Sequence, residues 1–441
     1  MKNNLLQQKL GSRYAWAVVG MLWLICFLNY ADRQAISAIF PILEREFGFS
    51  KFQLGLIGSI FMWVYASGAF FAGFLSDRVW RKPLILGGCF FWSLVTACTG
   101  ICSKFWQFLT VRALEGMGEA FYFPASNSLI TDYHTKENRS KALSFHFSGV
   151  YAGTIAGSWF GAYLAEHYGW NYGFYFFGGL GVVVSALLFF FLKEPQRDVG
   201  EKENEVFEVS PLQNQPPSIS HQQVEEETKL GIVATLRYLL VRPAVVLMIL
   251  AFMSANSVAA IFLVWMPTFL YEKFHMTLTM AGCSAVIFIQ IASAIGAPCG
   301  GWLADKLSQK IRNARVIVQI ASLLLGLGTI IAIGQVTTLS LLTIAMIFFG
   351  LCKGGYDPGV FAALFDYIEP KVRGSATGLI ISFGFIGGAL GPVLVGAIST
   401  YGTGSTIGRM SATISASAIA YGIAACFLIG VLFIKPKTCH L

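Results

Sequence analysis

Twelve apolar runs, each about 20 residues long, fill most of this 441-residue sequence, and a helix of that length crosses a hydrocarbon core about 30 Å thick. Lipid offers no hydrogen-bond partner. Each run must therefore satisfy its own N–H and C=O groups, which it does as a helix. The runs centre near Cys26, Met62, Trp92, Gly118, Ile155 and Val183, then near Ser254, Ile291, Leu325, Phe349, Gly387 and Ala424. Charged residues make up 12% of the chain, against about 25% in soluble proteins. An all-α polytopic membrane protein is the expected class. The formal charge of +8 is then first a matter of topology, before any nucleic-acid partner is considered. The nine cysteines form no CxxC pair and no Cys/His cluster, so neither a disulfide nor a metal is expected. No phosphate loop or nucleophile–base arrangement stands out, and an enzyme is not expected.

Lysine and arginine crowd alternate loops. One set is Lys2, Lys9 and Arg13; Arg78, Arg81 and Lys82; Lys136, Arg139 and Lys141; Lys306, Lys310, Arg312 and Arg315; Lys371 and Arg373; Lys435 and Lys437. The intervening loops hold only Arg45, Lys51, Lys104, Lys273 and Arg409. The positive-inside rule then predicts both termini in the cytoplasm. One polar stretch, about 193–237, interrupts the apolar pattern and reads as a linker with a surface helix over 224–240. The expected organisation is a six-helix bundle over 1–192, a cytoplasmic linker over 193–236 and a second six-helix bundle over 237–441. The halves also repeat. Gly73 stands four residues before Asp77 and Arg78 after the second run, and Gly301 stands four before Asp305 and Lys306 after the eighth. Two pseudo-symmetric six-helix halves with parallel similarity are one architecture of secondary transporters.

The fourth run carries the chain's most expensive residues. Within VRALEGMGEAFYFPA (111–125), Arg112, Glu115 and Glu119 are spaced i, i+3, i+7 and share one helix face. Each costs about 2.5–3.5 kcal/mol at membrane depth on the lenient insertion scale. Such groups face a protein interior or a watery cavity and mark substrate or proton paths.

The stretch from Gly73, GFLSDRVWRKPL, resembles the loop signature of the major facilitator superfamily, with Trp80 where that family usually has glycine. Arg112 to Gly116 resemble its fourth-helix motif. Within the superfamily the chain is similar to the anion:cation symporter family of organic-anion carriers. The residues that carry this are Asn29 to Arg33, Ser59 to Tyr65, Arg112, Glu115, Glu119, Pro124, Glu137 to Ser140, Ser148 to Gly153, Gly169-Trp170, Phe174-Tyr175 and Trp265 to Leu270. That resemblance implies transport of sugar acids, sialic acid or other carboxylates, commonly with protons. Asp32, Arg33, Arg112 and Gly118 to Ala120 also resemble the spinster-type transporters, associated with lysolipids or sphingoid lipids.

Read physically, the first and fourth helices can present Asp32, Arg33, Arg112, Glu115 and Glu119 to one cavity. Arginine binds carboxylates bidentately, so Arg33 and Arg112 are candidate substrate residues. Burial raises a carboxylate pKa and a nearby arginine lowers it, so Glu119, Asp32 and Glu115 are candidate proton carriers. The bland use of the same charges is a fixed salt-bridge network between the two helices. Lys353 and Asp357, i and i+4 in the tenth run beside Pro358, form a second charged pair, either a substrate contact or a self-neutralising ion pair; the glycines and Pro358 predict a bend there. Asn29, Tyr65 and Tyr122 are further substrate candidates; Asn127, Tyr151, Asn256, Gln290 and Tyr356 could also line the cavity. His146 reads as packing more readily than as a proton relay. Gly73, Asp77, Arg78, Arg81 and Asp305 read as a conformational latch on the cytoplasmic face. Glycines over 149–157 and 384–391 would let helices approach closely and rock.

The function expected is proton-coupled symport of a small organic anion by alternating access. It would run on the proton gradient with no cofactor or metal, in a monomer of a plasma membrane, such as a bacterial inner membrane. A spinster-like lysolipid carrier, a proton-antiport exporter and a transport-dead sensor are the alternatives.

Overall fold

The computed structural model describes residues 2–76, 80–194, 232–311, 313–369 and 373–434. These form sixteen helices and no strand. The first half holds α1 (Lys2–Ala38), α2 (Phe40–Phe47), α3 (Lys51–Ser76), α4 (Arg81–Thr99), α5 (Phe105–Glu119), α6 (Tyr122–Tyr133), α7 (Lys136–His167) and α8 (Trp170–Phe191). The second holds α9 (Ile232–Leu240), α10 (Pro243–Phe274), α11 (Leu278–Ser308), α12 (Ala314–Gln335), α13 (Leu339–Phe365), α14 (Arg373–Tyr401), α15 (Thr406–Ala416) and α16 (Ala418–Leu432). All twelve expected centres fall inside helices. Twelve crossings return the chain to the side it started from, called here the terminal side; the opposite side is the far side. The linker helix predicted over 224–240 appears as α9, and its earlier part lies outside the described residues.

Ten of the twelve crossings are long and apolar enough to span a membrane on composition alone. The exceptions are the fourth, α5 with α6, and the fifth, α7. The fourth is divided at Ala120 and Phe121. Pro124 explains the division: it has no N–H to offer the carbonyl four residues back, that of Ala120, and its ring crowds that carbonyl. α13, by contrast, stays helical through Pro358.

The halves are built alike. In the first, α7 packs on α1 through glycines one turn apart: a Cβ on Gly149 would stand 3.1 Å from the Trp23 carbonyl oxygen, one on Gly161 3.0 Å from Ala35 Cβ, and Gly153 and Gly157 meet the Phe27 and Ala31 carbonyls more closely still. In the second, α14 packs on α10 in the same way: a Cβ on Gly391 would stand 2.5 Å from the Ser257 carbonyl oxygen, and Gly384 and Gly387 lie against Phe252 and Met253. α3 meets α5 at Gly116, which lies against the Phe61 carbonyl; its counterpart is α11 on α13, with Gly350 against the Ile289 carbonyl. Small residues thus let backbones touch where lipid supplies no hydrophobic drive.

The halves are bound to each other at the far end. Gly55 of α3 lies against the Pro392 carbonyl of α14, and the Phe52 N–H donates to Thr400 Oγ1 at 2.9 Å. Ser158 Oγ of α7 donates to the Gly282 carbonyl of α11 at 2.7 Å, and Glu166 accepts from the Thr279 N–H at 2.7 Å. Gln34 Nε2 donates to the Leu263 carbonyl at 2.6 Å. Buried Lys51 pairs with Glu44 at 2.5 Å and with Glu272 across the halves. Beneath them Trp265 meets Phe40 edge-on with centroids 5.6 Å apart, and its Nε1–H donates to the Pro392 carbonyl at 2.9 Å.

Candidate functional site

The charges predicted on the first and fourth crossings converge. Asp32 and Asn29 of α1 and Arg112, Glu115 and Glu119 of α5 are all buried. Arg33 Nε donates to Glu119 Oε2 at 3.1 Å, and its Nη2 donates to the same oxygen. Nη2 also donates to Asn29 Oδ1 at 3.3 Å. Arg112 Nη1 donates to Glu115 Oε2 at 2.5 Å, one turn along the same helix. The Arg33 N–H donates to Asp32 Oδ1 at 2.7 Å. Thr96 Oγ1 of α4 lies 3.4 Å from Asp32 Oδ2 and 3.5 Å from Glu115 Oε1. One hydroxyl proton cannot serve two carboxylates at once. A proton on either carboxylate would donate to Thr96 Oγ1 and free the hydroxyl for the other.

Three carboxylates therefore face two guanidinium groups in a membrane-spanning helix pair. Oxygens of Asp32, Glu115 and Glu119 lie within 4.8 Å of one another, close enough for the three to share a cation. Glu119 Oε1, Arg112 Nε and Asn29 Nδ2 are buried without a hydrogen-bond partner. Glu119 thus spends one oxygen on Arg33 and keeps the other unengaged.

Aromatic rings orient the two arginines. The Phe61 ring of α3 lies under both guanidinium groups, 4.4 Å from Arg33 Cζ and 5.0 Å from Arg112 Cζ. Tyr30 lies 4.4 Å and Tyr65 5.4 Å from Arg33 Cζ. Tyr65 also stacks on Phe385 of α14 at 4.3 Å, which carries the site's edge onto the second half. Cation–π contacts of this kind contribute about 0.5–2 kcal/mol each. Phe61, Tyr30, Thr96 and Phe385 were not predicted. Phe61 is one turn before Tyr65 on α3, inside the stretch Ser59 to Tyr65 that carries the family resemblance.

Other predicted residues sit apart. The Tyr122 hydroxyl, 2.5 Å from the Leu22 carbonyl and 2.8 Å from His146 Nε2, is fully occupied inside the first bundle. Because that hydroxyl donates to Leu22, His146 must donate from Nε2, leaving its buried Nδ1 without a partner. Asn256 Nδ2 donates to the Gly384 carbonyl at 2.7 Å, a helix–helix bond. Lys353 Nζ and Asp357 Oδ2 pair at 2.5 Å on α13.

At the terminal side, Arg81 Nε donates to Glu194 Oε1 at 2.9 Å and Nη1 pairs with Asp132, all within the first half. Glu194 Oε2 also accepts the Lys82 N–H at 2.6 Å, so its charge sits at the start of α4, where a helix favours an anion. Asp305 pairs with Arg315 at 3.4 Å, and Arg315 with Asp366 at 2.9 Å, within the second half. Gly73 lies in α3, while Asp77 and Arg78 lie outside the described residues. His134, just past α6, has its pKa lowered by burial.

A polytopic helical bundle with paired halves and buried charged residues between apolar walls is an architecture of membrane transporters. The sequence description of the Major Facilitator Superfamily matches residues 22–318 and 289–438, and the chain belongs to that family. It is 26% identical over 405 residues to the probable galactarate/D-glucarate transporter of Escherichia coli strain K12, covering 89% of this chain and 88% of that one. It is 24% identical over 417 residues to the D-galactonate transporter of Escherichia coli O6:H1, covering 93% and 95%. Among solved structures, a bacterial homolog of the human lysosomal transporter Spinster superposes with a TM-score of 0.78 at 20% identity, covering 95% of this chain and 97% of that chain. That likeness carries the fold.

Proposed function

We propose that this transporter carries a small organic anion into the cytoplasm together with protons, by alternating access around Arg33 and Glu119. The observation that carries the reading is the charge of the buried cluster: three carboxylates against two guanidinium groups. Fully ionised, it would hold one uncompensated negative charge at membrane depth, which is costly. One proton neutralises the empty site. A bound monoanion restores the deficit and a second proton removes it. Empty and loaded carriers then both cross neutral, and the protons carried per cycle equal the charge of the substrate.

Glu119 is the switch. With Oε2 bound to Arg33 and Oε1 unengaged, a proton entering on Oε1 cancels the charge that holds Arg33. The guanidinium, still steadied by Phe61 and Tyr30, then takes the substrate carboxylate in place of Glu119. The basic loops support a cytoplasmic terminal side, and with it the closed far end supports an inward-facing state. The names of the sugar-acid relatives support the substrate class.

The test is uptake into proteoliposomes under an inward proton gradient, with sugar acids, sialic acid, dicarboxylates and a lysophospholipid as probes. Accumulation of an acid is the expected result. Accumulation driven by a sodium gradient alone, or movement of the lysophospholipid alone, would overturn the reading.

A further inference from the structure

Asp32 is the carboxylate of the buried cluster that no guanidinium holds. Arg33 donates to Glu119 and Arg112 to Glu115. Among the described residues Asp32 has the Arg33 N–H at Oδ1, 2.7 Å away, and the Thr96 hydroxyl at Oδ2, 3.4 Å away. On its other side Thr96 Oγ1 lies 3.5 Å from Glu115 Oε1. Both distances are long for hydroxyl bonds, as suits one hydroxyl set between two acceptors. Thr96 is buried and turned out of its own helix. Helix hydroxyls commonly bond the carbonyl one turn back, as Thr99 does to Val95 at 3.3 Å, Thr110 to Trp106 at 2.8 Å and Thr154 to Val150 at 2.7 Å. Thr96 instead stands between acids from two other helices. The charged groups about it are Asp32 and Arg33 of α1 and Arg112, Glu115 and Glu119 of α5. α8, which also packs on α4, has no charged residue, and Asp132 of α6 pairs with Arg81 at the opposite end of α4.

Resting on the symporter reading above, we infer that Thr96 is the positioning residue for the empty carrier's proton, which it holds on Asp32 Oδ2 and can pass to Glu115. The argument is one of valence. With both acids ionised, the hydroxyl has one hydrogen for two acceptors, and one carboxylate goes without. With one proton present the row closes: Asp32 Oδ2–H donates to Thr96 Oγ1, and the Thr96 O–H donates to Glu115 Oε1. The hydroxyl therefore favours the singly protonated pair over the ionised one. The row also conducts. As the Asp32 O–H breaks, an O–H forms at Thr96; as the hydroxyl's first O–H breaks, one forms at Glu115. Thr96 ends neutral, the charge of the site is unchanged, and Glu115, now uncharged, loosens its hold on Arg112. Glu119, with Oε1 unengaged, is left for the second proton.

The test is infrared difference spectroscopy of the purified, full-length protein in lipid, titrated through pH without substrate. A protonated carboxyl has its own C=O stretch, and the frequency rises when its hydrogen bond is lost. At neutral pH the native protein should show this band and Asp32→Asn should lose it. In Thr96→Val, which keeps the branched shape without the hydroxyl, the band should move to higher frequency and titrate away at lower pH. Proton affinity should fall about 10–100-fold, the loss of one hydrogen bond to a charged partner. Thr96→Ser, which keeps the hydroxyl, should hold the native midpoint within about threefold in proton affinity. Thr96→Cys, with only a weak donor and acceptor, repeats the test should Thr96→Val fold poorly. Gradient-driven accumulation by Thr96→Val should fall about tenfold at neutral pH and recover as the pH is lowered, in line with the lost proton affinity. A band that Asp32→Asn leaves in place, or one that neither Thr96→Val nor Thr96→Cys moves, would overturn the inference and leave the symporter standing. Failure of every acid to accumulate in proteoliposomes, with the bands as expected, would remove the symporter reading while upholding the place of the proton.

Discussion

Replacing Glu119 with glutamine isolates the switch. The amide keeps the length of the side chain and an oxygen that can accept from Arg33, but carries no charge and takes up no proton. In the native protein an anion reaching Arg33 must displace a carboxylate that holds the guanidinium through two N–H groups. A hydrogen bond to a charged partner contributes about 1.5–3 kcal/mol. At alkaline pH, where the native site is ionised, Glu119→Gln should therefore bind the substrate anion roughly 10–100-fold more tightly than the native protein, since 1.4 kcal/mol is about tenfold. At acidic pH the two should converge. The sign follows from the switch: affinity in the native protein falls as pH rises and Glu119 loses its proton, whereas the variant is largely insensitive to that step. Transport separates the steps further. Counterflow exchange of substrate, which needs no net proton movement, should survive, and gradient-driven accumulation should disappear. Isothermal titration across pH and paired counterflow and uptake assays in proteoliposomes read both. Full gradient-driven accumulation by the variant, or a binding curve with the native pH dependence, would refute the role of Glu119.

Phe61→Leu removes the ring shared by the two guanidinium groups; substrate affinity should fall by about 3- to 30-fold through lost cation–π support, measured as KM with thermal stability as the control. Gly157→Ala forces a Cβ into the Ala31 backbone, and overpacking of about 1–3 kcal/mol should lower the melting temperature of the detergent-solubilised protein. Lys51→Met leaves Glu44 and Glu272 facing each other without their cation. The far end should open more often, read as a longer distance between spin labels at Gln53 and Tyr401, and an unchanged distance distribution would deny Lys51 a part in the closure.

Long apolar runs, which lipid demands, marked ten of the twelve crossings in the sequence, and the centre was marked because charge inside such runs is rare. Asp32, Arg33, Arg112, Glu115 and Glu119 do meet. What the sequence did not disclose depends on tertiary partners. Phe61 is one apolar residue among many in α3, and nothing before the fold says that two guanidinium groups lie against its ring. Thr96 becomes a bridge only because α4 brings it beside two carboxylates from other helices. Tyr122 had the right chemistry and the wrong direction: beyond the division at Ala120 its hydroxyl turns into the first bundle, to Leu22 and His146. The division itself had a local sign in Pro124, four residues past the carbonyl it leaves unbonded.

The two crossings that hydropathy alone does not mark as spans, α5 with α6 and α7, are consecutive, and this bears on how the protein is made. A nascent helix bearing Arg112, Glu115 and Glu119 partitions poorly into lipid by itself. By the time it emerges, α1, α3 and α4 have been synthesised, and they hold its partners: Arg33, the Phe61 ring and Thr96. α7, which follows, rests its glycines on α1. The charges that serve the finished carrier thus also set an order of assembly, in which the fourth and fifth crossings enter the membrane against a protein surface already waiting for them.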